Sequence, residues 1–145
     1  YNIGILYQYN RGVPQDYSKA MEWYRKAADQ GDAKAQCGIG YLYDCGLGVP
    51  QDDGKAVGWY RKAADQGHAT AQFNLGNMYN LGRGILRDKE KAMEWYKKAA
   101  GQGHEDAKKE IAKLDAENEI AKLEEQGSSD QANKKKPGLL KRLFK

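Results

Sequence analysis

Chemistry in this chain would have to come from few side chains: two histidines, His68 and His104, and two cysteines, Cys37 and Cys45. A histidine pair can hold a metal or pass a proton, but only with a ligand or an acid-base partner at the right spacing. Neither histidine has one. Each follows a glycine (Gly67, Gly103) and the two stand 36 residues apart, which points to a recurring turn. The cysteines are eight residues apart within one predicted helix. At about 1.5 Å rise per residue that is roughly 12 Å, beyond the ~7 Å between α-carbons that a disulfide tolerates. They read as reduced thiols in packing or groove positions. Gly46-x-Gly48 and Gly82-x-Gly84 suggest a phosphate loop, yet they follow helices rather than strands and lack the lysine such a loop needs. No catalytic residue, metal ligand or cofactor is expected.

The recurrence of those histidines belongs to a larger pattern. Gly12-Val13-Pro14-Gln15-Asp16 returns as Gly48-Val49-Pro50-Gln51-Asp52, and more loosely as Gly84-Ile85-Leu86-Arg87-Asp88. The three Trp-Tyr pairs, Trp23-Tyr24, Trp59-Tyr60 and Trp95-Tyr96, fall in the same 36-residue register. Between residues 12–36 and 48–72, 19 of 25 positions are identical. A gapless period of this length means stacked units that bury their faces against neighbours. The Trp-Tyr pairs therefore read as core rather than as binding platforms.

Each unit reads as two helices. Asp16, Asp52 and Asp88 stand where a side chain caps free backbone amides. Ala20, Trp23, Tyr24, Ala27 and Ala28 then trace an amphipathic stripe. This predicts second helices over 53–66 and 89–102, ended by Gly67 and Gly103, with Gly31 as their earlier counterpart. First helices are predicted at 33–44 and 69–80, with 2–9 as a remnant. Gly4, Gly40 and Gly76 fall mid-helix, where glycine costs about 1 kcal/mol relative to alanine. A cost repeated at one register predicts close approach by Ala20, Ala56 or Ala92 and their neighbours.

Leu75-Gly76-x-x-Tyr79, Gly82-x-Gly84-Ile85, Asp88, Ala92, Trp95, Lys98-Ala99-Ala100 and Gly103 together resemble the Sel1-like repeat (SLR). The resemblance covers about residues 1–104. Tetratricopeptide repeats share the Leu-Gly-x-x-Tyr core but run at about 34 residues. The resemblance implies an all-α fold, a right-handed α-α superhelix, serving as an adaptor or scaffold for other proteins. A cysteine-rich branch of the family carries disulfides at positions matching Ala28 with Gln36 and Ala64 with Gln72. Those pairs lack cysteine here, so that branch and its penicillin-binding activity gain no support.

The expected organisation is a repeat array over 1–126, comprising a partial unit 1–32, units 33–68 and 69–104, and a polar capping helix 105–126. Ile111, Leu114, Ala121 and Leu123 are expected to cover the last hairpin. Residues 127–145 read as a flexible linker and a basic tail. Tyr1 enters the repeat partway through an element, so a fragment boundary is expected there. A monomer is expected, and the compartment stays open, with a cytoplasmic setting weighed above a secreted one.

Charge narrows the partner class. The net charge of +4 comes from residues 134–145, which hold six basic side chains and no acid; without them 18 basic face 20 acidic residues. Such a body lacks the clustered cations of a nucleic-acid binder. In the tail, Lys134, Lys135, Lys136, Lys141, Arg142 and Phe144 are candidates for contact with anionic lipid or an acidic partner, against the plainer reading of a solvated basic tail. The favoured surface is the concave side lined by first helices. Its outward strip is expected to be Ile5 and Gln8; Lys34, Cys37, Tyr41 and Asp44; and Thr70, Phe73, Asn77 and Asn80, with Tyr1 at the start. Tyr41 and Phe73 would anchor a partner segment, and Asp44, Asn77 and Asn80 would hydrogen-bond it. The alternatives are a repeat-built hydrolase or cell-wall-active enzyme, and an RNA-binding helical array.

Overall fold

The computed structural model describes residues 1–126, 137–138 and 140–142. Seven helices run in chain order: α1 (Asn2–Gln8), α2 (Tyr17–Ala28), α3 (Ala33–Cys45), α4 (Asp53–Asp65), α5 (Ala69–Leu81), α6 (Lys89–Gly101) and α7 (Glu105–Glu125). Each packs chiefly on the next, and among the described residues there is no strand. The architecture is an all-α right-handed α-α superhelix. Observed helix ends fall within about two residues of those expected.

The second helices start at the expected aspartate caps. Asp16, Asp52 and Asp88 each accept a bond from the amide three residues on, at 2.9 Å in every case. First helices use the same device with different chemistry. Asp32 Oδ1 accepts from the amides of Lys34 and Ala35, at 2.9 and 3.1 Å. His68 Nδ1 and His104 Nδ1 accept from Ala71 and Ala107, both at 3.3 Å. The two histidines are thus N-caps, which explains their shared register.

The recurring glycines divide into two kinds. Gly46 and Gly48 hold φ of +66° and +69°, and Gly82 and Gly84 hold +68° and +65°. These turns also press on the preceding hairpin: a Cβ on Gly84 would lie 2.3 Å from the Asp53 carbonyl carbon. The mid-helix glycines are explained by a tyrosine. A Cβ on Gly4 would meet the Tyr24 ring at 2.5 Å, on Gly40 the Tyr60 ring at 2.7 Å, and on Gly76 the Tyr96 ring at 2.6 Å. The backbone is part of the contact too, because the Ala20 and Ala92 carbonyl oxygens would lie 3.3 Å from a Cβ added at Gly4 and Gly76. Tyr24, Tyr60 and Tyr96 are the largest side chains fully buried in the stack.

The tryptophans differ from expectation. Trp23, Trp59 and Trp95 are only half-buried. Lys26, Lys62 and Lys98 lay their ammonium groups over these rings at 4.5, 4.3 and 4.1 Å. One helical turn separates each pair, so the aliphatic stem covers the indole while the charge meets its face. Met21 and Val57 take the buried place instead.

Side-chain hydrogen bonds tie units together where the family's cysteine-rich branch was expected to use sulfur. Gln72 Nε2 donates to the Ala64 carbonyl at 3.2 Å, and Gln102 Nε2 donates to Gln72 Oε1 at 2.9 Å. Gln66 Nε2 donates likewise to Gln36 Oε1 at 2.8 Å. Among the described residues no buried side-chain nitrogen or oxygen lacks a partner.

On α7, Ala107, Leu114 and Ala116 are buried and Ile111 packs against the core, while Ala121 is exposed. The expectation for Ala121 is corrected, since its side chain is exposed; Leu123 is half-buried, and of the α7 residues Ala107 and Leu114 join the core.

Two outcomes follow. Gly76→Leu overpacks the Tyr96 contact and destabilises the fold by about 1–3 kcal/mol. Gly58→Ala, in an exposed helical position with nothing within 4 Å, raises stability by about 0.5–1 kcal/mol. Urea melts of both variants check this. A further outcome concerns pH. Burial first, and Lys34 next, hold the His68 pKa below its ordinary 6.5, with Asp32 opposing. A base depressed on folding binds fewer protons in the native state, so its contribution is intact above the unfolded value. It is lost as pH falls through 6.5 towards the depressed value. The Tm is expected to drop between about pH 7 and 5, and less in His68→Asp, which copies the Asp32 cap and stays ionised there.

Candidate partner-binding groove

The first helices α1, α3 and α5 stand side by side and frame an open cavity of about 490 Å³. Six residues of the expected strip line it: Ile5, Gln8, Lys34, Cys37, Tyr41 and Thr70. Tyr1 lines it as well, together with Tyr9, Tyr24, Gly38, His68 and Asn74, which the strip did not include. Four of the five additions have a readable cause. Gly38 and Asn74 occupy one register, next to the strip rather than on it. Tyr24 comes from a second helix and shows through because Gly38 has no side chain: a Cβ there would lie 3.0 Å from its ring. His68 arrives as the N-cap of α5.

Outward orientation fails for two of the strip residues. Gln8 is 4% exposed, its Oε1 accepting the Tyr24 hydroxyl proton, and Cys37 is 8% exposed. Both border the cavity from within. A helix of 3.6 residues per turn places these positions at the edge of the stripe, where the next hairpin reaches them. Burial pushes the Cys37 thiol up to about 12, so it stays protonated near neutrality. Cys45 is an exposed thiol.

Four other strip residues lie outside the cavity. Asp44 is held by Arg83 at 2.8 Å and accepts from the Tyr60 hydroxyl at 3.2 Å. Arg83 also reaches Asp53 at 2.6 Å, joining the third unit's loop to the second hairpin. Asn77 Oδ1 accepts from the Tyr96 hydroxyl at 2.7 Å. The Asn80 carbonyl accepts from Arg87 at 2.9 Å. Phe73 stacks on His104 with ring centroids 4.6 Å apart and tilts against Tyr96 at 5.8 Å. Expected as an anchor for a partner, Phe73 is half-buried in the stack instead. Its aromatic ring is absorbed because Tyr96 offers it a face.

What remains accessible is a tyrosine-rich rim. Tyr9 is 56% and Tyr41 40% exposed, and Ile5 is half-buried between them and the core. The neighbouring Cys45 is the largest cause raising the Tyr41 pKa, so Tyr41 is a neutral hydroxyl. Lys34 is exposed. The arrangement can bury apolar surface and donate hydrogen bonds. Among the described residues no three His, Cys, Asp or Glu side chains converge as metal ligands, and no helix is long and apolar enough to cross a membrane. In the tail, Lys134, Lys135, Lys136 and Phe144 lie outside the described residues, while Lys141 and Arg142 are helical and exposed.

Comparison with known proteins agrees with this architecture. A Sel1 repeat model matches residues 1–32, 33–68 and 69–104. The chain is similar to the Sel1 repeat protein from Oxalobacter formigenes, with 40% identity and a TM-score of 0.73, over 77% of this chain and 46% of that one. It is similar to a protective antigen of uropathogenic Escherichia coli strains that displays an SLR fold, with 41% identity and a TM-score of 0.75, over 77% of this chain and 24% of the other. Helicobacter pylori cysteine rich protein B matches at 26% identity and a TM-score of 0.61, over 64% of this chain and 71% of that one. The chain thus spans under half the length of the first two. No curated protein matches it. With three successive units matched in the register that its tyrosines and glycines define, the chain belongs to the Sel1 repeat family.

Proposed function

We propose that the chain is a scaffold that holds a segment of another protein in the groove framed by α1, α3 and α5. Sel1 repeat proteins are generally interaction scaffolds, and membership of the family supports this class of function. The groove reading rests on one observation: the open cavity lies between first helices and is rimmed by the exposed Tyr9 and Tyr41. Exposed tyrosines supply large contact area with few rotors to immobilise, and they are over-represented among residues that dominate binding energy. An extended or helical segment would bury its apolar side chains against Ile5 and Tyr41. Thr70 and Asn74 would offer hydrogen bonds from α5.

Each unit is fixed by its own caps and by the tyrosine-glycine contact, so the groove is formed before a partner arrives. A preformed surface loses less conformational freedom on association.

Intact chain carrying Tyr9→Ala and Tyr41→Ala, compared with wild type against a partner captured by pull-down and then purified, tests the assignment. The expected result is binding weakened about tenfold or more, which is about 1.4 kcal/mol. Thermal stability stays within about 0.5 kcal/mol of wild type, as for other surface changes. Unchanged affinity in a folded double variant would place the partner elsewhere on the array.

A further inference from the structure

The cavity exists because one unit carries small side chains where the others carry larger ones. Three residues share the first register: Tyr1, Cys37 and Phe73. Where that residue is aromatic it packs on the tyrosine of the following helix, Tyr1 on Tyr24 and Phe73 on Tyr96, both with centroids 5.8 Å apart. In the third unit Phe73 additionally covers the capping histidine, His104, at 4.6 Å. Cys37 and His68 are the counterparts of Phe73 and His104, and both line the cavity. The neighbouring register repeats the contrast, with Asn2, Gly38 and Asn74. Thus a thiol and a hydrogen stand where the other units place an aromatic ring and an amide.

Charge at this opening is one-sided. None of the twelve lining residues is acidic, although the chain apart from its last twelve residues carries more acids than bases. Lys34 is exposed at the rim. The nearby Asp32, which acts electrostatically on His68, has its Oδ1 engaged by the amides of Lys34 and Ala35. The cationic Lys34 therefore faces the opening with no carboxylate among its lining.

Resting on the groove reading above, we propose that Cys37 and Gly38 form a socket for one large apolar side chain of an acidic partner segment, with Lys34 receiving a carboxylate beside it. Specificity then comes from the one unit in which the repeat leaves its own space unfilled. Cys37 acts through its small size and burial; its sulfur chemistry is not used.

Selection of displayed random linear peptides on the intact chain, followed by affinity measurement with the enriched peptides, tests this. Enriched sequences are expected to place Asp or Glu near a Leu, Ile, Met or Phe. Cys37→Phe, which copies the pairing of Phe73 with His104, is expected to weaken binding about tenfold or more, whereas Cys37→Ser stays within about threefold. Gly38→Asn, copying the same register in the other units, narrows the socket independently and also weakens binding. Lys34→Glu weakens binding, and its own selection loses the acidic preference. Enrichment of basic peptides, or equal binding by a folded Cys37→Phe, overturns the proposal. If Tyr9→Ala and Tyr41→Ala weaken binding while Cys37→Phe and Gly38→Asn do not, the socket fails and the groove stands. If none of these changes matters, or no peptide is enriched, both readings fail.

Discussion

A tyrosine ring lying where a glycine has no side chain is the contact on which the stack depends. It occurs three times, as Tyr24 over Gly4, Tyr60 over Gly40 and Tyr96 over Gly76, always between a first helix and the second helix that follows. Glycine in a helix interior sacrifices about 1 kcal/mol of propensity. That loss is offset because the two helices approach closely enough for a whole phenol to be buried between them. The phenol oxygen then needs a partner, and each unit supplies one from the first helix: Gln8, Asp44 and Asn77 in turn. An interior of this kind is dense and polar-satisfied, and it fixes how closely the two helices of each hairpin pack.

Those partners also explain why the groove differs from a simple helical strip. The helical positions of Gln8, Asp44 and Asn77 lie off the main stripe, which by periodicity alone predicts that they face outward. The long tyrosine of the next helix reaches across and recruits them. What is left for a partner is set by the residues that the tyrosines do not use: Tyr9, Lys34, Tyr41, Thr70 and Asn74, together with the small Cys37 and Gly38. Repetition builds the frame, and departures from repetition shape the surface.

Sequence reasoning captured the frame closely because a gapless period tests each assignment three times. Helix limits, the aspartate caps, the loop glycines and the mid-helix approach were all legible from Asp16, Gly46 and Gly76 and their counterparts. Six of the ten residues expected along the groove do line the cavity. The failures share one physical origin. Periodicity assigns a face to each residue of one helix, but it does not report how far a side chain on the neighbouring helix extends. Phe73 is flanked by Tyr96 and His104, and Tyr24 reaches the cavity from a second helix, neither of which the period of a first helix encodes. The tryptophans misled in the opposite sense: their register was core-like, yet a lysine one turn on covers each of them.

The claim that the tyrosine-glycine contact governs packing is tested most directly by a double-mutant cycle joining Gly76→Ala and Tyr96→Ala, read as unfolding free energies. With Tyr96 present, the added methyl group would lie 2.6 Å from the ring, so Gly76→Ala must destabilise the protein. With the ring removed, only the Ala92 carbonyl, 3.3 Å from the added methyl, remains beside it, and the same substitution should stabilise the protein by up to about 0.5–1 kcal/mol through helix propensity. A change of sign between the two backgrounds is the predicted result. The same effect of Gly76→Ala in both would mean that the ring and the glycine are not coupled, and would contradict the account.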